Sequence, residues 1–196
     1  TSEIPLVLFT YLNPVYAYGF AQFHADAAAA GAAITSELRE ECPCAVHLCV
    51  GGRSGGGSEG VDFGANFLLG GQILGEGPRL FHIYPQGNFI EATVDTPYFQ
   101  IGEAKYGKPI IDRVVNFQTP LKEASKCVLI SFDSTIRSNL SVGLPIDLML
   151  YRRDGFQVSS KQRIGEMDPY YQMIRQTWSQ GLRETFARLA DPDWAN

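Results

Sequence analysis

The sequence predicts an α+β protein in which helices pack on antiparallel sheet. Three observations predict it. Short apolar runs at 63–70, 79–84 and 88–93 are joined by hairpin-length turns. The stretch 121–137 is apolar-rich and holds neither Gly nor Pro. The pair Asp168-Pro169 opens an amphipathic pattern that runs on to Leu189.

Taken in order, residues 4–31 read as a strand, a turn at Asn13-Pro14 and a helix over 20–30, where four consecutive alanines, the best helix formers, support the helix. From Glu37 the pattern breaks into a charged stretch and a cysteine cluster. Residues 51–60, nearly all Gly and Ser, predict a flexible linker, since they offer almost no side chains to bury. The first 59 residues are thus expected to contribute at most one strand and one helix.

Beyond the linker, Phe63, Ala65, Phe67 and Leu69 alternate with Gly64, Asn66, Leu68 and Gly70; the turns 75–78 and 85–87 set off two further strands, making an antiparallel meander. Residues 104–115 predict a helix, with Pro109 required to sit in its first turns or kink it. Residues 121–137 contain Val128-Leu-Ile-Ser-Phe, which looks like a buried strand, but the length of the uninterrupted stretch favours helix. A strand over 145–151 ends at Arg153-Asp-Gly155. The final helix carries Tyr171, Ile174, Trp178, Leu182, Phe186 and Leu189 on one face, a face that needs a partner. The segments expected are 1–33 (strand and helix), 34–59 (linker), 60–155 (core) and 156–196 (helical extension).

Composition narrows the function classes. Hydrophobic residues are 45% and charged ones 19%, which excludes wholesale disorder, and a net charge of -5 argues against a phosphate-tracking surface. No nucleic-acid partner is expected, and no apolar run reaches membrane-spanning length. The first fifteen residues lack the basic start of a secretory signal, so a cytoplasmic protein with reduced thiols is expected.

Several constellations can be weighed. Gly52-Arg-Ser54-Gly-Gly56 matches G-x-S-x-G, but a nucleophile elbow needs a following helix, which the next glycines do not supply. Cys42, Cys44, His47 and Cys49 are competent zinc ligands, yet structural zinc sites draw on two separated pairs; a strand that merely carries cysteines is the competing reading, and no metal and no cofactor is expected. His82 reads as a packed or surface residue of the second strand rather than a ligand. Thr1 is a candidate nucleophile, because an N-terminal threonine can use its own amine as base.

Two stretches resemble known families. GVDF at 60–63, LGGQI at 69–73, GPRLF at 77–81, GNFIEA at 87–92, YFQIGEAKYGKP at 98–109, SFDSTIRSNLSVG at 131–143 and DPDW at 191–194 resemble Anbu, the bacterial proteasome-type β-subunit family of N-terminal-nucleophile hydrolases. The resemblance implies an αββα sandwich, helix at 121–137, self-assembly into a homo-oligomer and action on peptide or unfolded protein. It places Ser138 and Ser141 beside the family's nucleophile, with Ser138 where an aspartate is usual, and Ala104 in a loop that usually brings a serine near. Separately, IPLVLFTYLNPVYAYGF at 4–20 and ADAAAAG at 25–31 resemble one β-α unit of the tryptophan synthase α chain, a TIM-barrel family.

The sandwich is expected to be incomplete, because the family's opening threonine strand with its aspartate and lysine is not recognisable; residues 1–59 hold no lysine at all. The expected function is therefore a threonine-peptidase-family subunit deficient in hydrolysis. The alternatives are a non-catalytic, self-assembling scaffold subunit and, as a minor reading, a tryptophan-synthase-like lyase fragment.

Overall fold

The computed structural model describes residues 6–10, 44–53 and 65–195. Within them lie seven strands and three α-helices. The strands are β1 (Leu6–Thr10), β2 (Cys44–Arg53), β3 (Ala65–Ile73), β4 (Arg79–Ile83), β5 (Phe89–Glu91), β6 (Ile146–Tyr151) and β7 (Val158–Ile164); the helices are α1 (Lys108–Val114), α2 (Leu121–Ser138) and α3 (Pro169–Ala187). A short 3-10 turn, Asp193–Ala195, follows.

The strands form two antiparallel sheets rather than one: β1-β6-β7 and β2-β3-β4-β5. Strand β6 explains why two are needed, since it is buried on both faces. By the two-residue period of a strand, Ile146 and Leu148 face one way and pack with Leu129 of α2, Ile164 of β7, and Tyr171 and Ile174 of α3. Tyr151 faces the other way and joins Leu68 and Leu80 of the second sheet, with Met149, Phe99 and Ile101 against them. Among the described residues, helices, three-stranded sheet and four-stranded sheet are thus successive layers, three of the four that an αββα sandwich requires. Each fully buried Leu or Ile in these two clusters contributes about 1.5–3 kcal/mol.

The meander β3-β4-β5 is as expected, in register Leu69↔Phe81 and His82↔Ile90. Its inward positions on β3 are Leu68, Gly70 and Gln72, while Phe67 and Leu69 are half-buried. Helix α2 runs from Leu121 to Ser138, and Pro109 falls in the first turn of α1, where its missing N–H is no loss. That placement also corrects the start of α1. The helix begins at Lys108, not at residue 104, because a proline tolerated only in the first turn cannot have a full helical turn before it. Asp168 caps α3 as its sequence suggested, its carboxylate accepting from the Tyr171 N–H at 2.8 Å.

Three other expectations are overturned. Residues 1–59 supply two strands, not at most one: β1 pairs with β6 and β2 with β3. Gly51–Arg53, expected in the linker, close β2, because the edge of β3 offers their backbone a ladder that outweighs glycine's entropy cost; a register shift sits between Gly51 and Arg53. The expected helix at 20–30 lies outside the described residues. Lastly, the segment 156–196 is not wholly helical. Strand β7 completes a hairpin with β6, and it escaped notice because Ser159, Ser160, Lys161, Gln162 and Arg163 form a polar strand with only Ile164 fully buried.

Candidate functional site

The stretch 131–143 is the end of α2 and the loop that leads into β6. Ser138 is the last residue of α2 and is exposed; Ser141 is exposed three residues on. Asn139 organises the loop. Its backbone N–H donates to Thr135 O at 2.9 Å, closing the helix, and its side-chain oxygen accepts from the Ser141 N–H at 2.9 Å and the Ser141 hydroxyl at 2.7 Å. This is an Asx turn, in which a short side chain replaces the next turn of helix. Ser138 and Ser141 therefore lie on one exposed turn, with the Ser141 hydroxyl already engaged. Thr1 lies outside the described residues, as does Ser54.

The loop that holds Ala104 packs elsewhere on α2. Gly102 has φ +81°, and a Cβ on the buried Gly107 would lie 2.0 Å from the Ser131 hydroxyl, so the loop rests on Ser131 through a glycine. Ser131 is about 10 Å up the helix from Ser138 at 1.5 Å per residue. Ala104 is half-buried and brings no hydroxyl.

A charged cluster that sequence reasoning missed sits one turn before Ser138. Asp133 is only 2% exposed, and its two oxygens accept from Arg137 Nε at 3.0 Å and Arg175 Nε at 2.9 Å. The Asp133/Arg137 pair was legible as i, i+4 on a helix. Arg175, forty-two residues away, was not. Arg175 also lies 5.8 Å from the centre of the Tyr171 ring. The hydroxyl of Tyr171 is buried without a hydrogen-bond partner among the described residues, and burial, with Asp133 nearby, pushes its pKa up to about 12.

His82 is a packed strand residue. It lies 3.1 Å from Asn66 Oδ1 and against Tyr84 and Phe99, and burial lowers its pKa. Cys44, His47 and Cys49 fall within β2, and Cys42 lies outside the described residues. Among the described residues no cluster of three or more His, Cys, Asp or Glu could hold a metal. Cys127 is free and buried, and burial raises its pKa, which keeps it a thiol. No described helix is long and apolar enough to cross a membrane.

No protein-family model matches the chain. A 31-residue segment is 71% identical to the tryptophan synthase alpha chain of Solibacter usitatus (strain Ellin6076), which is 16% of this chain and 12% of that one. Solved structures match far more. Anbu (ancestral beta-subunit) from Yersinia bercovieri is 64% identical, covering 68% of this chain and 57% of that one, with TM-score 0.66. Anbu from Hyphomicrobium sp. strain MC1 is 58% identical over 68% of this chain and 57% of that one, TM-score 0.66. The helical assembly of the Anbu complex from Pseudomonas aeruginosa gives 53% identity over 72% of this chain and 59% of that one, TM-score 0.67. The chain spans somewhat over half the length of these relatives. Identity of this order, on a fold that superposes, makes the matched part of this chain Anbu-like in sequence and fold.

Proposed function

We propose that this chain self-associates as an Anbu-like subunit and, as written, hydrolyses peptides poorly or not at all. The observation that carries the reading is the lysine distribution. Lys105 is the first lysine, and Lys105, Lys108, Lys122, Lys126 and Lys161 precede, lie on or follow the helices α1 and α2. None falls where the resemblance expects a lysine, on a strand near the start of the family fold, to tune the amine of an N-terminal threonine. Ser138 and Ser141 could support such an amine by hydrogen bonding, but they bring no positive charge. Correct general-base assistance is worth about 100- to 10,000-fold, so its loss leaves little turnover.

Self-association is favoured by a specific feature. The first half of α3 buries Tyr171 and Ile174, whereas Leu182, Phe186, Leu189 and Trp194 further along are 55–87% exposed. Such an apolar stripe is unusual on a monomer, and the Pseudomonas aeruginosa Anbu complex is a helical assembly. A non-catalytic scaffold subunit would present the same surface.

Sedimentation velocity and a fluorogenic-peptide assay test both parts. The expected result is a species larger than a protomer at micromolar concentration, with turnover near background and unchanged by Thr1→Ala. A clean monomer would sink the assembly claim. Robust turnover abolished by Thr1→Ala would overturn the claim of deficiency.

A further inference from the structure

Beside α3 lies an open groove of about 790 Å³ whose described lining residues all carry polar or charged side chains. Two rows of side chains on the helix run along it. Gln172, Gln176 and Gln180 repeat at i, i+4 and i+8; Arg175 and Arg183 occupy the ends of a parallel row of the same period, with Ser179 between them. Arg137, from the end of α2, also lines the groove, next to Arg175 on the shared Asp133 carboxylate. We propose that this groove binds an extended acidic peptide, with carboxylates four residues apart taken by Arg175 and Arg183 and the peptide backbone met by the glutamine row.

The electrostatics point to an anion. Among the described residues three arginines line the groove and no carboxylate does, although the chain as a whole carries a net charge of -5. The one carboxylate against them, Asp133, is buried behind the lining and engages Arg137 and Arg175 through Nε alone. Those bonds hold two guanidinium groups in place while their terminal nitrogens keep no hydrogen-bond partner among the described residues. A fork pinned by its Nε and open at its ends is set for a carboxylate, because less rotamer freedom remains to be lost on binding. Arg183 Nη2 reaches only the Gln180 side-chain oxygen, at 3.3 Å, and Gln180 in turn donates to Glu184 at 2.6 Å.

The spacing points to a peptide rather than an isolated anion. Four helical residues advance about 6 Å, close to the roughly 6.6–6.8 Å between alternate residues of an extended chain. Arg175 and Arg183, eight residues apart, are therefore about 12 Å apart along the axis, close to the roughly 13 Å between residues i and i+4 of an extended peptide. Glutamine amides both donate and accept, as a peptide backbone requires. The reading is independent of hydrolysis, since it uses no nucleophile.

Fluorescence anisotropy on the full chain tests it, with a fluorescein-labelled, end-blocked Glu-Thr-Val-Thr-Glu peptide and its Gln-Thr-Val-Thr-Gln analogue. The expected result is saturable binding of the acidic peptide, weakened by salt, with the neutral analogue at least about tenfold weaker. Arg183→Gln should weaken binding several-fold with an unchanged melting temperature, because Arg183 is exposed and its hydrogen bond among the described residues is to the exposed Gln180 side chain. Arg175→Gln should weaken binding too, but it also loosens Asp133, so Arg183→Gln is the deciding variant. Equal binding of the two peptides, no saturable binding, or an unaffected Arg183→Gln variant would overturn the proposal. So would tighter binding of a single-stranded oligonucleotide of matched charge, which would make the groove a phosphate site.

Discussion

The phenol of Tyr151 on β6 donates a 2.9 Å hydrogen bond to the side-chain oxygen of Gln72 on β3, so one buried polar contact joins the two sheets. Gln72 is only 3% exposed, yet its amide is fully used. The same oxygen accepts from the Asp154 N–H at 2.8 Å, and Nε2 donates to the Asp154 carboxylate at 2.6 Å and to Glu76 O at 2.8 Å. One side chain thereby holds a turn in which Asp154 and Phe156 both have positive φ, 61° and 47°, a conformation non-glycine residues adopt at a cost.

Gln72→Leu should therefore destabilise the fold by about 1–3 kcal/mol, the cost of leaving buried partners unpaired. Because Gln72 serves the turn as well as the tyrosine, Tyr151→Phe should cost less than Gln72→Leu. The two changes together should cost less than their sum, by about 0.5–3 kcal/mol of coupling. Urea midpoints of the four proteins in the cycle check this, and strict additivity would show that the contact contributes nothing.

Asp133 is held by two arginines, so its tolerance should depend on how many remain. Arg137→Gln or Arg175→Gln alone leaves one charge-assisted hydrogen bond and should cost about 1.5–3 kcal/mol. Removing both leaves a buried carboxylate unpaired, and the cost should rise to about 3–5 kcal/mol or more. Denaturation midpoints give the comparison. A double variant no worse than the singles would mean that Asp133 finds another partner.

Gly107 is required by space. Its Cβ would stand 2.0 Å from the Ser131 hydroxyl and 3.1 Å from the Ser131 carbonyl. Gly107→Ala should cost about 1–3 kcal/mol through overpacking. Adding Ser131→Ala should recover part of that loss but not all, since the carbonyl on the helix backbone cannot yield. Full recovery in thermal melts would show that only the hydroxyl was in the way.

Tyr171 predicts an alkaline transition. Its folded pKa, about 12, is above the ordinary value of 10, so in that window the unfolded chain releases the phenolic proton while the folded chain keeps it. The unfolded state then binds fewer protons, and stability falls as pH rises from about 10 to about 12, by up to about 1.4 kcal/mol per unit. Tyr171→Phe should flatten that slope, and it should cost little at neutral pH because the hydroxyl has no partner to lose among the described residues. Urea titrations at pH 9, 10 and 11 test this; an identical slope in both proteins would place the titration elsewhere.

By itself the sequence determined the elements whose signals are local. Asp168-Pro169 sets the start of α3 through a side-chain cap and a proline that needs no N–H, the hairpin turns set the meander, and the long stretch without Gly or Pro sets α2. Its motifs also carried the Anbu likeness, because identity over long segments needs no geometry. Only the tertiary structure decided the rest. The polar strand β7 exists because β6 offers it a ladder, and Gly51–Arg53 are strand because β3 does; neither pairing leaves a pattern in the strand's own residues. Arg175 meets Asp133, and Gln72 meets Tyr151 and Asp154, across 42, 79 and 82 residues of chain. Hydrogen bonds and ion pairs act over a few ångströms of space, not along the chain, so which distant polar residues share a buried site is settled only when the layers pack.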